Sequence, residues 1–71
     1  MSGYELMLIL EALTRVHTFD ELALGGPIIA ALVLHLGLEP EQAEVLVEGA
    51  MYLKQARAES GEVIQGVSYL Q

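Results

Sequence analysis

The sequence contains no cysteine. Disulfide bonds and thiolate zinc sites therefore cannot supplement the core, nothing calls for an oxidising compartment, and the cytoplasm is the expected location. Basic residues are nearly missing as well. Arg15, Lys54 and Arg57 stand against ten acidic residues, for a formal charge of −7. A nucleic-acid surface needs several cations to displace counterions from phosphates, so a chain of this balance is repelled by polyanions and drawn to basic proteins. Long uncharged runs are scarce too. The longest spans residues 22–38, is interrupted by Gly25, Gly26, Pro27 and His35, and has no flanking Lys or Arg. A membrane span takes about 20 predominantly apolar residues, so this run reads as a core helix and no membrane association is expected. Around Tyr4, Glu5 and Leu6 the chain carries neither the basic start nor the cleavage site of a secretory signal, and no targeting segment is expected.

Chemistry-bearing constellations are equally thin. His17 and His35 are the only imidazoles, with no His-x-x-x-His or Glu-x-x-His spacing to build a metal site. Each is given a structural place, His17 at a helix C-terminus and His35 partly buried on an apolar helix. Gly25-Gly26-Pro27 precedes a helix but lacks the Gly-x-x-x-x-Gly-Lys of a phosphate cradle, and reads as a turn. No nucleophile–base pair is present, so no catalytic, cofactor-binding or metal-binding residue is expected and the chain reads as non-enzymatic.

What the chain has in quantity is apolar surface, 54% of its 71 residues. That length makes one domain, residues 1–71, and such a small domain leaves part of its apolar content to face a partner or a second copy. Residues 4–17 form a helix by spacing, with Leu6, Ile9, Leu10, Leu13 and Val16 on the buried stripe and Glu5, Glu11, Thr14 and Arg15 on the polar edge. Met7, Leu8 and Ala12 widen its apolar surface, and Tyr4, Met7 and Leu8 are expected to form a homodimer seam, with filling of the core as the alternative. Thr18-Phe19-Asp20-Glu21 has the form of a capping box, which opens a short helical turn; a brief strand over residues 21–24, ended by Gly25-Gly26, is the alternative. Pro27 then opens an apolar helix over residues 28–36, expected to be the central one and stopped by Gly37.

The last helix is expected over residues 41–55. Ala43, Leu46, Val47, Ala50 and Leu53 make its buried side, and Lys54 sits in its final turn. Glu41, Glu44, Val45, Glu48, Tyr52 and Gln55 make its outer side. Solvated glutamates are the plain reading of such a row, but an aliphatic and an aromatic side chain among them have the composition of a protein contact. Residues 55–59 and 62–70 read as two strands joined at Ser60-Gly61, with Glu59 opposite Glu62, so the expected class is α+β, mostly helical, closed by a C-terminal β-hairpin.

The apolar run Ile28-Ile29-Ala30-Ala31-Leu32-Val33-Leu34-His35-Leu36-Gly37-Leu38, followed by Glu39-Pro40-Glu41, the helix from Ala43 to Leu53 and a hairpin ending in Gly66-Val67-Ser68-Tyr69-Leu70, resembles the winged helix-turn-helix superfamily. The resemblance covers nearly the whole chain and rests on patterns of hydrophobicity and glycine. It implies that the post-turn helix lies in the DNA major groove and that a wing contacts phosphates. Here that helix would present Glu41, Glu44 and Glu48, and Glu59 and Glu62 would flank the wing tip. The expected function is therefore a homodimeric protein-interaction module that binds a basic partner through Glu41, Glu44, Val45, Glu48 and Tyr52, within a transcription or nucleic-acid-handling assembly. The alternative is a winged-helix DNA-binding regulator that sets Arg15, Lys54 and Arg57 against the backbone.

Overall fold

The computed structural model describes residues 2–60. They form four helices, α1 (Gly3–Val16), α2 (Phe19–Leu24), α3 (Gly26–Leu36) and α4 (Pro40–Glu59), joined by connections of one to three residues. Each boundary has a local cause. Ser2 and Thr18 are extended N-caps that each form a complete capping box. The Glu5 amide donates to Ser2 Oγ at 3.2 Å and the Ser2 amide to Glu5 Oε1 at 2.9 Å; Glu21 and Thr18 make the same exchange at 3.1 and 2.9 Å. Two otherwise orphaned amides are satisfied at each start. Residues 18–24 are accordingly a capped helix, and the alternative of a strand there does not form.

Glycine makes two of the three connections. Gly25, with φ +75°, is at once the C-cap of α2 and the N-cap of α3: its amide donates to the Glu21 carbonyl at 3.3 Å, and its carbonyl accepts from the Ile29 amide at 2.8 Å. Gly37 is left-handed at φ +69°, and the turn it makes delivers Leu38 back into the core. Glu39 is then extended, the conformation the following Pro40 imposes, and Pro40 opens α4 where its missing amide hydrogen costs nothing.

At 20 residues α4 is about 30 Å long, and α1, α2 and α3 all pack against it. Its buried stripe is Ala43, Leu46, Val47 and Ala50; the two alanines are wholly enclosed, which lets neighbouring helices come close. Leu13 of α1, Leu22 of α2, Ile28 and Leu32 of α3, and Leu38 close over that stripe, with Leu6, Ile9, Leu10, Ile29, Val33 and Met51 around them. The core thus sits along one side of α4.

Several expectations need correction. α3 is not the central helix: only Ile28 and Leu32 are buried in it, while Ala30, Ala31, Leu34 and His35 are exposed. A helix apolar on all sides carries no mark of which face turns inward. On α1, Val16 is exposed rather than buried, and Thr14, placed on the polar edge by type, is buried at 3% exposure. Its hydroxyl donates to the Leu10 carbonyl at 2.7 Å, so a threonine is accommodated there without an unmet hydrogen bond.

The α+β class with a C-terminal hairpin is also overturned. No strand occurs among the described residues, and residues 55–59, expected as the first hairpin strand, are the last turns of α4. The segment Gln55-Ala56-Arg57-Ala58-Glu59 consists of good helix formers, which prolong a helix already under way more readily than they start a strand. The wing implied by the winged-helix resemblance loses its first strand. Its second, residues 62–70, with Glu62 and the closing Tyr69-Leu70, lies outside the described residues. Among the described residues the fold is all-α, and no helix is long and apolar enough to cross a membrane.

The helix junction at Gly25 yields a paired test. At φ +75° and ψ −47° Gly25 lies outside even the left-handed helical well, where an L side chain already costs about 1–2 kcal/mol, so Gly25→Ala should cost at least that much and lower the urea midpoint followed by circular dichroism. Gly26 has a negative φ and open space at its Cβ position; Gly26→Ala should be neutral or stabilising by up to about 1 kcal/mol.

Candidate functional site

Because α4 buries one stripe, its opposite side is surface by geometry. Glu41, Glu44, Val45, Glu48, Tyr52 and Gln55 are all exposed there, Val45 at 65% and Tyr52 at 72%. Glu44 and Glu48 lie one turn apart, as do Glu48 and Tyr52, so the carboxylates and the phenol share a face. Glu41, Glu44 and Glu48 make no ion pair among the described residues.

The cations are turned elsewhere. The Arg57 guanidinium forks onto Glu11 of α1, with Nη2 to Oε1 at 3.0 Å and Nη1 to Oε2 at 3.2 Å, and Arg15 reaches the same carboxylate at 3.2 Å. Lys54 Nζ donates to the Thr14 carbonyl at 2.8 Å. Lys54 is thus a mid-helix residue that braces α4 to α1 instead of sitting in a final turn. All three basic side chains of the chain engage groups of α1, two of them across the α1–α4 seam, which leaves the outer face of α4 without a cation.

Two surface depressions adjoin this face. A cleft of about 360 Å³ runs between α4 and the α2–α3 junction, with Glu44 and Glu48 on one side and Leu24 on the other, over Leu22, Ile29, Val47 and Met51. A shallower one of about 200 Å³ is bordered by Tyr52, Gln55, Ala56 and Glu59 at the end of α4. Sequence reasoning found the carboxylates and Tyr52 from helical spacing. It missed Leu24, Ile29 and Met51, because they come from three helices and are brought together only by the turn at Gly25 and the packing of α2 and α3 on α4.

On α1, Tyr4, Met7 and Leu8 are exposed at 73%, 68% and 53%. His17 caps α1, half-buried, with Nδ1 3.3 Å from Glu21 Oε1, and His35 is exposed instead of partly buried. Among the described residues no three histidine or acidic side chains are grouped as metal ligands.

Three carboxylates are held below the ordinary range. Glu11 is lowered chiefly by the Arg57 hydrogen bonds, Glu5 by the Ser2 amide, and Glu21 by the Thr18 amide and then His17. A lowered carboxylate binds its proton more weakly in the folded chain than in the unfolded one. Its stabilisation is therefore present above the ordinary value of 4.5 and fades as pH falls through the depressed folded value. Wild type should consequently exceed Glu11→Gln in urea resistance at neutral pH, and the gap should narrow steadily as pH falls below 4.5. A gap that is constant with pH would contradict the Arg57–Glu11 account.

In comparisons with known proteins the chain matches no family model, and no curated protein or solved structure is significantly similar to it.

Proposed function

We propose that this chain is a small protein-interaction module that binds a basic partner protein through the outer face of α4. The observation that carries the reading is the separation of charge: Arg15, Lys54 and Arg57 all engage α1, while Glu41, Glu44 and Glu48 stand together and unpaired by any described cation. Carboxylates so arranged steer a positive surface toward them and raise the rate of encounter. The affinity comes from apolar anchors beside them. Val45 and Tyr52 supply exposed apolar area on the face itself, and the cleft over Ile29, Val47 and Met51 has room for an aliphatic or aromatic side chain of the partner.

The partner that suits this surface is a segment with Lys or Arg set around one or two large apolar residues. A basic protein of a transcription or nucleic-acid-handling assembly has that composition. Duplex DNA suits the surface poorly, since its phosphates would meet Glu41, Glu44 and Glu48 and the cations that might answer them already hold other groups. The reading is of a cytoplasmic, non-enzymatic protein, because a chain without cysteine needs no oxidising compartment and no nucleophile–base pair is found in it.

Affinity capture from native lysate, repeated with nuclease, tests the proposal. Basic proteins should be retained whether or not nucleic acid is digested, and Glu44→Lys combined with Glu48→Lys should weaken their capture about 10-fold or more, a loss of at least ~1.4 kcal/mol. Full binding by that variant would refute the assignment of the acidic face. Capture that disappears with nuclease, together with salt-dependent binding of the purified chain to duplex DNA, would favour the regulator.

A further inference from the structure

The side of the molecule away from the acidic face of α4 has the opposite character. The Glu11 carboxylate on α1 is matched by Arg15 and Arg57, and that of Glu5 is folded back onto its own N-cap. α3 contains no Asp, Glu, Lys or Arg at all. Between α1 and α3 lies an apolar groove of about 230 Å³, with the buried Leu13 and Leu32 as its floor and the exposed Ala12, Val16 and Leu36 on its rim. Beside it Tyr4, Leu8, Ala12 and Val16 succeed one another at four-residue intervals along the exposed side of α1. A row at that spacing is the ridge that packs into the groove of a second helix.

We infer that this face binds a second copy of the chain, with α1 against α1 across a twofold axis and the ridge of each copy seated in the groove of the other. Charge selects the occupant. Two copies at −7 each repel one another, and they approach at least cost through the face on which Glu11 is paired with Arg15 and Arg57, Glu5 is hydrogen-bonded to its own N-cap and α3 brings no carboxylate. Shape agrees, because a ridge and a groove side by side on one surface are self-complementary under a twofold rotation. Area agrees too. Tyr4, Leu8, Val16 and Leu36 are all large apolar side chains left about half exposed or more on this one side, the kind of surface that a standard interface of about 800 Å² per partner covers together with a polar rim.

This seam keeps Tyr4 and Leu8 from the sequence expectation. Met7, although exposed, shares its line along the helix with Glu11 and falls outside the ridge. Since α1 and α4 turn their buried sides toward each other, pairing through α1 leaves both α4 outer faces open, and the dimer presents two acidic surfaces.

Sedimentation equilibrium of the full chain, from micromolar to millimolar concentration, reads the association directly. The expected mass is twice 7.7 kDa. Leu8→Glu combined with Val16→Glu would bury unpaired charge in the seam and should raise the dissociation constant about 100-fold or more. Both side chains are exposed in one copy, so the helical circular dichroism should be unchanged; Ala12→Glu, a substitution between good helix formers, gives the same reading should the double variant fold poorly. Glu44→Lys with Glu48→Lys should leave the mass at two copies, which separates this seam from the α4 face. A wild-type chain that stays monomeric throughout, or a dimer that survives both sets of seam substitutions, overturns the inference.

Discussion

The structure depends on one helix being covered. Ala43, Leu46, Val47 and Ala50 form a narrow stripe on α4, and three shorter helices each contribute one or two large side chains to close over it. Two of the three are too short to be stable alone. α2 has six residues and α3 eleven, both below the length at which an isolated helix holds in water. Their helicity is a consequence of burial against α4, and the capping boxes and glycines determine only where each begins and ends. Leu22 shows the economy of the arrangement: it is the one large residue of α2 that is enclosed, at 1% exposure, and it ties that helix to the rest.

From this single-sided core follows the distribution of charge. With α4 covered on one side, Arg57 and Lys54 fall at its flank, where they meet the Glu11 carboxylate and the Thr14 carbonyl of α1. Two of the three cations of an acidic chain are thereby held at the α1–α4 seam, while the largely exposed Arg15 pairs with Glu11 along α1. What remains outward on α4 is acid with two large apolar side chains, and what remains outward on α1 and α3 is largely apolar. The two surfaces suit different occupants, and they differ because the same interhelical contact removes the positive charge from one and compensates the negative charge on the other.

Much of the local structure was legible. The Thr18–Glu21 capping box, the stop at Gly37, the opening of α4 by Pro40 and the buried stripe of α4 all follow from short-range rules that depend on neighbours in sequence. The second capping box, Ser2 with Glu5, bears the same signature and was overlooked because hydrophobic periodicity begins later. Less legible were Val16 and Thr14, whose places were exchanged relative to their polarity, because interhelical packing rotates the buried face of α1 toward Thr14. The extension of α4 through residues 55–59 was misread as a strand, since alternation over five residues carries little weight beside the propensity of Gln, Ala, Arg and Glu to continue a helix.

Caps, glycines and 3.6-residue spacing act between near neighbours, so the capping box at Thr18, the stop at Gly37, the acidic balance and the row of Glu41, Glu44 and Glu48 on one side of a helix were readable from the chain alone, whereas the end of α4 at Glu59 was not. Packing alone set α4 rather than α3 at the centre, turned Lys54 and Arg57 to α1, and gathered Leu24, Ile29 and Met51 beside the carboxylates. Those outcomes depend on which faces meet. A uniformly apolar helix and a long flexible cation are both indifferent to that choice until the other helices are in place.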